Sequence, residues 1–325
     1  MRGLWSRMAG WWSGPPAGKP ADAEGLDRVR EVWSEQAGTW SPDRGMHWVE
    51  HAAVRRRIDS KVAGNVRGDR FQYFMNKYVP TGRPLDRVLT LGCGGGEFER
   101  GLAQYNFARL HEAVDIAEGA LERAKLAARE LGLSHIKYDL GDLNRLTLER
   151  DAYDVIFGIS SVHHVRALEH LFEQVRAGLK PGGYFFLDEF IGPSQFQWTD
   201  GQVRLVNEML ASLPAEYRRR VSKPGRSKPP VVRPTIARMN AGDPSEAIRS
   251  AEIVPLLGRY FEIVEFKGYG GSLLHLLLED IAGNFRPADP QSMRYLERLF
   301  EEEDRLIASG QLQHDFGVVI ARRSR

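Results

Sequence analysis

A single cysteine, Cys93, stands in 325 residues. Without a second thiol the chain forms no internal disulfide and builds no multi-cysteine zinc or iron–sulfur site, a usage that fits a reducing, cytoplasmic setting. Long apolar runs are missing as well. Nothing approaches the roughly 18 to 20 uninterrupted apolar residues of a membrane span, so the body of the protein is expected to be soluble. Neither sign of charge dominates: 45 Lys and Arg against 43 Asp and Glu leave +2, too balanced to indicate a nucleic-acid partner. There is no internal repeat. Hydrophobic residues make up 42% of the chain, enough for one large core with embellishments.

The first residues depart from this ordinary background. Leu4, Trp5, Met8, Trp11 and Trp12 share one helical face, with Arg2, Ser6, Arg7 and Gly10 mostly opposite. This is the pattern of a short interfacial helix that makes peripheral membrane contact through residues 1–12, or of a flap docked on the protein's own surface. No secretory cleavage pattern accompanies it. Residues 1–24 therefore read as a tail ending in a Pro/Gly linker. Residues 25–84 read as an N-terminal helical cap with Trp33, Trp40, Trp48, Phe71, Tyr73 and Phe74, closed by the turn signal Thr81-Gly82-Arg83-Pro84.

From there strands and helices alternate. Strands are expected at Asp86–Leu91, Leu110–Ile116, His135–Leu140, Tyr153–Ile159 and Tyr184–Phe190. Helices are expected near Phe98–Tyr105, Ala117–Leu131 and Val165–Leu179. A βαβαβ order implies a mainly parallel sheet covered on both faces. Beyond Phe190 the alternation lapses. Gly201–Leu213 reads as helix, and Tyr217–Gly242 carries eight basic residues, no acidic ones and four prolines. This is an extended loop, either simply solvated or able to bind phosphate, carboxylate or another anionic group. Asp243-Pro244-Ser245-Glu246 has the form of an N-cap with Pro at the first helical position and predicts a helix to Leu257. Tyr260–Lys267 and Asp315–Ala321 read as strands, with helices at Gly271–Asn284 and Pro290–Ala308 between them. The core is thus assigned to residues 85–192 and 258–325, and residues 193–257 to a substrate-side insertion.

Chemistry concentrates at strand ends. Leu91-Gly92-Cys93-Gly94-Gly95-Gly96-Glu97 follows a strand and precedes a helix, where a glycine-rich turn lets backbone approach a ligand at a helix N-terminus. A dinucleotide fingerprint wants Gly or Ala where Glu97 stands, which argues against NAD and FAD. Asp115, about 20 residues on, ends the second strand where a ribose diol can be bound, and Asp142 follows the third, where it can accept from an adenine amine. Taken singly each Asp is a turn or cap residue; three such signals on one edge of a sheet make a nucleoside pocket.

Together with Asp154-Val155-Ile156-Phe157-Gly158-Ile159-Ser160-Ser161 and the turn Leu179-Lys180-Pro181-Gly182-Gly183, these segments resemble the class I S-adenosylmethionine-dependent methyltransferases over Leu85–Phe190. The resemblance implies a Rossmann-like, doubly wound α/β fold with a mainly parallel seven-stranded sheet and an antiparallel last strand. It implies S-adenosylmethionine as cofactor and S-adenosylhomocysteine as product, held by Gly92, Cys93, Gly94, Gly96, Asp115, Ile116, Asp142, Leu143 and Ser160. Where that family often has an acid this chain has Thr90, which leaves the cofactor's amino group to backbone carbonyls near Gly92 or to Ser160.

His163 and His164 follow the fourth strand, beside the expected methyl group. An imidazole is suited to taking a proton from a hydroxyl, and His164 is the preferred base; the other reading is a histidine pair packed against the cofactor. His47, Trp48 and His51 in the cap, and Asp188, Glu189 and His275 on the acceptor side, are further candidates that can equally be structural. There is no Asp-Pro-Pro-Tyr or Asn-Pro-Pro-Tyr tetrad and no Pro-Cys nucleophile, so nucleic acid is not the expected acceptor. No metal is expected. The reading is methyl transfer to a hydroxyl of a small molecule or glycan. N-methylation of a small amine and non-catalytic cofactor binding are the alternatives.

Overall fold

A computed structural model describes residues 45–65, 67–79 and 84–324. The aromatic stretch 1–12, the linker, the first part of the cap with Trp33 and Trp40, and Thr81–Arg83 lie outside the described residues. In chain order these residues form α1 (Ala52–Ala63), α2 (Arg70–Tyr78), β1 (Leu85–Leu91), α3 (Glu97–Ala103), β2 (Ala108–Asp115), α4 (Glu118–Glu130), β3 (Ile136–Leu140) and β4 (Tyr153–Ile159). They continue as α5 (Leu168–Gly178), β5 (Leu179–Phe190), α6 (Asp200–Ser212), α7 (Ile236–Gly242), α8 (Ile253–Tyr260), β6 (Glu262–Gly270), α9 (Leu274–Leu278), α10 (Pro290–Ala308) and β7 (Phe316–Arg322).

All seven strands join one sheet in the order β3-β2-β1-β4-β5-β7-β6. β1 pairs in parallel with both β2 and β4, and β7 runs antiparallel between β5 and β6. The fold is therefore the Rossmann-like arrangement with an antiparallel strand inserted near one edge. Central strands are covered on both faces, which is why Val155, Ile156 and Phe157 are consecutive buried residues rather than an alternating pattern. Helix α5 buries Leu168, Leu171, Phe172 and Val175, the i, i+3, i+4, i+7 stripe that a sheet-covering helix needs. Successive connections run to one side from β1 and to the other from β4. The crevice between their C-terminal ends is the topological switch point, where open α/β sheets bind ligands.

Three sequence expectations fail after β5. The helix expected from Asp243 to Leu257 begins only at Ile253. Asp243 does accept from Ser245 N at 2.9 Å, but Ala247 takes φ +50°, which ends the turn, and Glu246 is buried toward the histidine pair. The helix expected over Gly271–Asn284 is broken at Asp280 (φ +60°), whose carboxylate is drawn to Arg220 Nε (2.5 Å), Ser222 N (2.7 Å) and Ser222 Oγ (2.6 Å). The basic stretch is not extended throughout, since Thr235 caps α7 by accepting from Arg238 N.

The cap is bolted to the sheet by a buried ion pair. Arg70 on α2 places Nε 2.9 Å from Asp188 on β5 and its Nη1 3.0 Å from Asp59, while Tyr269 Oη donates to Asp188 at 2.8 Å. Phe74, on the same helix, packs against Phe157 and Phe186. Arg70→Ala leaves a buried carboxylate without its cation and is expected to destabilise the fold by about 3–5 kcal/mol, measured by chemical denaturation.

A second buried acid gives stability a pH dependence. Asp315, just before β7, accepts from Gln202 Nε2 at 2.9 Å, and burial pushes its pKa up to about 7. A raised folded-state pKa means that the proton is held more tightly in the native state. The stabilisation is full below about pH 4 and is lost as pH rises through 7. Asp315→Asn removes the ionisation, so its melting temperature should match wild type near pH 4 and exceed it at pH 8, with a gap on the order of a few kcal/mol. A constant difference across that range would refute the assignment.

Candidate active site

The loop after β1 is drawn onto β2 by two backbone bonds, Gly92 N and Cys93 N donating to Val114 O at 2.8 and 3.1 Å. Gly92 has φ +69°, and a Cβ there would collide with the Ser161 side chain, so neither backbone nor packing admits another residue. Gly94, at φ +52°, donates its N–H to Asp115 Oδ2 at 2.7 Å, and a Cβ on it would meet no atom within 4 Å. The outer side of the loop is thus open to close approach by a ligand. Gly96 is the N-cap of α3. Cys93 is buried and its thiol is pushed well up by desolvation, so it is no nucleophile.

Asp115 is partly exposed at the end of β2. Its Oδ1 accepts from Ala117 N at 2.8 Å and its Oδ2 from Gly94 N. Desolvation raises its pKa, and the N–H groups of Ala117, Gly94 and Ile116 oppose that rise. Each carboxylate oxygen keeps acceptor capacity beyond one N–H, which fits a ribose diol. Asp142 Oδ1 accepts from Asn144 N and Nδ2 at 2.9 and 3.0 Å. Asn144 Oδ1 in turn accepts from Arg166 N and Ala167 N at 2.9 and 3.0 Å. Asp142 is therefore coupled to the segment that follows the histidine pair, a link no sequence signal gives. Ile116 and Leu143 lie half-buried on the same two loops.

Thr90, which stands in place of an acid, places Oγ1 2.9 Å from His111 Nε2. Burial lowers the pKa of His111 to about 3 and raises that of the fully buried Glu99, on α3, to about 7. In sequence Glu99 reads as an ordinary acid in a first helical turn, and its burial was not legible.

At the end of β4 the chain turns through Ser160, a non-glycine residue at φ +50° held by Ser160 N donating to Asp188 O at 2.8 Å. Ser161 Oγ donates to Leu91 O at 2.6 Å, joining the two loops of the crevice. Glu189 on β5 then grips the turn: Oε1 accepts from Ser161 N and Val162 N at 2.7 Å each, and Oε2 lies 2.6 Å from His163 Nδ1. Desolvation holds Glu189 near 7 and drives His163 down to about 3, so His163 is neutral and donates Nδ1–H to the carboxylate. It is 1% exposed, in a position to orient the turn. His164 is only half-buried. Its Nδ1 lies 3.0 Å from Ser245 Oγ, which donates its own hydrogen to Asp243 Oδ1 at 2.6 Å. Ser245 Oγ therefore accepts from His164 Nδ1–H, and the lone pair of the neutral ring is on Nε2. Glu246 approaches both rings, 3.6 Å from His163 Nε2 and 3.9 Å from His164 Nε2. In sequence Asp243, Ser245 and Glu246 read only as a helix start.

The remaining candidates belong to other contacts. His47 Nδ1 lies 3.1 Å from Glu279, His51 Nε2 donates to Phe285 O at 2.6 Å, and Asp188 is held by Arg70 and Tyr269. His275 is fully buried among Trp48, Phe190, Phe196, Trp198 and Phe316. In the basic stretch Arg220 pairs with Asp280, Arg233 with Asp200, and Lys228 Nζ donates to the carbonyls of Leu276 and Glu279. Among the described residues no helix is long and apolar enough to cross a membrane.

Residues 88–183 match a family described as a methyltransferase domain. The chain is 30% identical over 110 residues to a sterol 24-C-methyltransferase of Gibberella zeae, covering 34% of this chain and 29% of that protein. It is 27% identical over 177 residues to the 27-O-demethylrifamycin SV methyltransferase of Amycolatopsis mediterranei, covering 54% and 58%. The matched stretch spans less than two thirds of either relative. A geranyl diphosphate methyltransferase, solved with GPP and sinefungin, superposes with a TM-score of 0.52 at 14% identity over 92% of this chain and 99% of that one, a likeness of fold.

Proposed function

This chain carries a class I, Rossmann-like S-adenosylmethionine-dependent methyltransferase domain, and from that premise we propose that it methylates a hydroxyl of a small molecule or glycan, with His164 receiving the hydroxyl proton. When bound, S-adenosylmethionine supplies an electrophilic methyl group on a sulfonium centre. The open side of the Gly92–Gly96 loop, the carboxylate of Asp115 and the Asp142–Asn144 pair are the groups that would hold it. The nucleophile must be brought into line, shielded from water and relieved of its proton. The observation that carries the reading is the relay Asp243–Ser245–His164, which fixes the tautomer of the ring with its lone pair on Nε2, one residue past the buried His163. A neutral amine acceptor would need no such base. The rifamycin-modifying relative is named as acting on an oxygen, which supports the choice of atom.

The test is transfer of labelled methyl from S-adenosylmethionine into fractionated cell extract. The expected result is label in small molecules or glycans that survives mild alkaline hydrolysis, as a methyl ether does and a methyl ester does not. Label confined to nucleic acid or to amines would overturn the proposal.

A further inference from the structure

We propose that His163, His164 and Glu246 form a binding site for one divalent transition-metal ion of the zinc class. One ligand atom from each residue lies within 4.8 Å of the other two. Donors bound to one tetrahedral ion at about 2.0–2.2 Å sit roughly 3.3 Å apart. Glu246 Oε1 lies 3.6 Å from His163 Nε2 and Oε2 3.9 Å from His164 Nε2, and with all three donors within 4.8 Å of one another an ion would draw the cluster together by a rotation of the carboxylate and of the half-buried His164 ring. Both separations exceed a hydrogen bond. His163 Nε2 is buried and makes no hydrogen bond, which leaves a lone pair aimed at a carboxylate with no satisfied polar role.

The surroundings have the form that orients metal-binding imidazoles. Each histidine gives its Nδ1–H to an acceptor, His163 to Glu189 at 2.6 Å and His164 to Ser245 at 3.0 Å, and Ser245 is anchored on Asp243. Such partners fix the tautomer that presents Nε2 to an ion and raise its basicity. Two imidazoles and one carboxylate, with no thiolate, suit zinc, cobalt, nickel or iron(II) rather than magnesium or calcium. An ion bound here would occupy the His164 lone pair, so the metal-loaded form and the proton-accepting form of the site exclude one another. The inference itself rests on this geometry and not on the hydroxyl reading.

Zinc is titrated into chelator-treated full-length protein against a chromophoric competitor, without S-adenosylmethionine or acceptor. One tight site per chain is expected, weakened by roughly 100-fold or more in His164→Gln and Glu246→Gln and about 10- to 100-fold in Glu189→Gln. His135→Gln, away from the cluster, should bind like wild type. Cobalt binding gives a second readout through the absorption of a low-coordinate imidazole–carboxylate site. Zinc-free melting curves show which variants fold, and Ser245→Ala, expected to bind about 10-fold more weakly, replaces any that do not. Absence of a tight site, or equal affinity in wild type, His164→Gln and Ser245→Ala, overturns the proposal. Tight zinc binding, with no methyl transfer to hydroxyls by the zinc-free protein, would instead sink only the functional reading.

Discussion

Asp115→Ala should lower the affinity for S-adenosylmethionine by roughly 100-fold or more, since two charge-assisted hydrogen bonds at about 1.5–3 kcal/mol each are at stake. The carboxylate acts on two levels. In the proposed site it would bind the ribose, and it also takes the N–H groups of Gly94 and Ala117 at 2.7 and 2.8 Å, so it holds the loop in the shape that leaves Gly94 open. Removing it loses ligand contacts and frees two backbone donors at once. Asp115→Asn keeps the size and one acceptor and should fall between wild type and Ala. Calorimetric titration with S-adenosylmethionine and S-adenosylhomocysteine reads the effect directly. Equal affinity in wild type and Asp115→Ala would remove the ribose assignment.

The second large effect is kinetic. His164→Gln should slow methyl transfer to a hydroxyl by about 10²- to 10⁴-fold, the usual contribution of a positioned base, while cofactor affinity stays unchanged. Ser245→Ala interrupts the relay without removing the ring and should cost about 10-fold, the lower end of what partners of a reacting side chain contribute. The diagnostic is the separation of the two measurements: kcat falls while the cofactor Kd holds. If transfer by His164→Gln keeps the wild-type rate, no proton passes through this ring.

The positions of the glycine loop and of the strand-end acids were legible in sequence because their signals are local. A strand that ends in glycines, an acid that ends the second strand and an acid two residues past the third are set by β–α geometry that repeats about every 20 to 30 residues. Gly92, Gly94, Asp115 and Asp142 thus lie where the motif spacing put them. His163, His164 and Glu189 were singled out in sequence, but the contacts that join them were not legible, for the opposite reason. Glu189 reaches His163 across neighbouring strands, and Asp243, Ser245 and Glu246 arrive from a segment some 80 residues downstream whose capping residues mimic a helix start. Those side chains are used elsewhere, and only tertiary contact decides between the two uses. Cap helices α1 and α2 were foreseen as helical. Their attachment through Arg70 and Asp188 was not, since a buried ion pair leaves no periodic trace.

The place of β7 bears on how the molecule is made. A nascent chain completes β1 to β5 and then β6, yet β5 and β6 are not neighbours, because residues 316–322 must slip between them. Until that strand has left the ribosome, β5 is an open edge, rich in Phe and Leu, ready to pair with another chain. Glu189 and Asp188 sit on that same edge, opposite Gly317 and Val318. The backbones of both residues therefore gain their β7 partners only late in synthesis. Premature termination before Phe316 would yield a sticky, unsealed sheet rather than a smaller working enzyme.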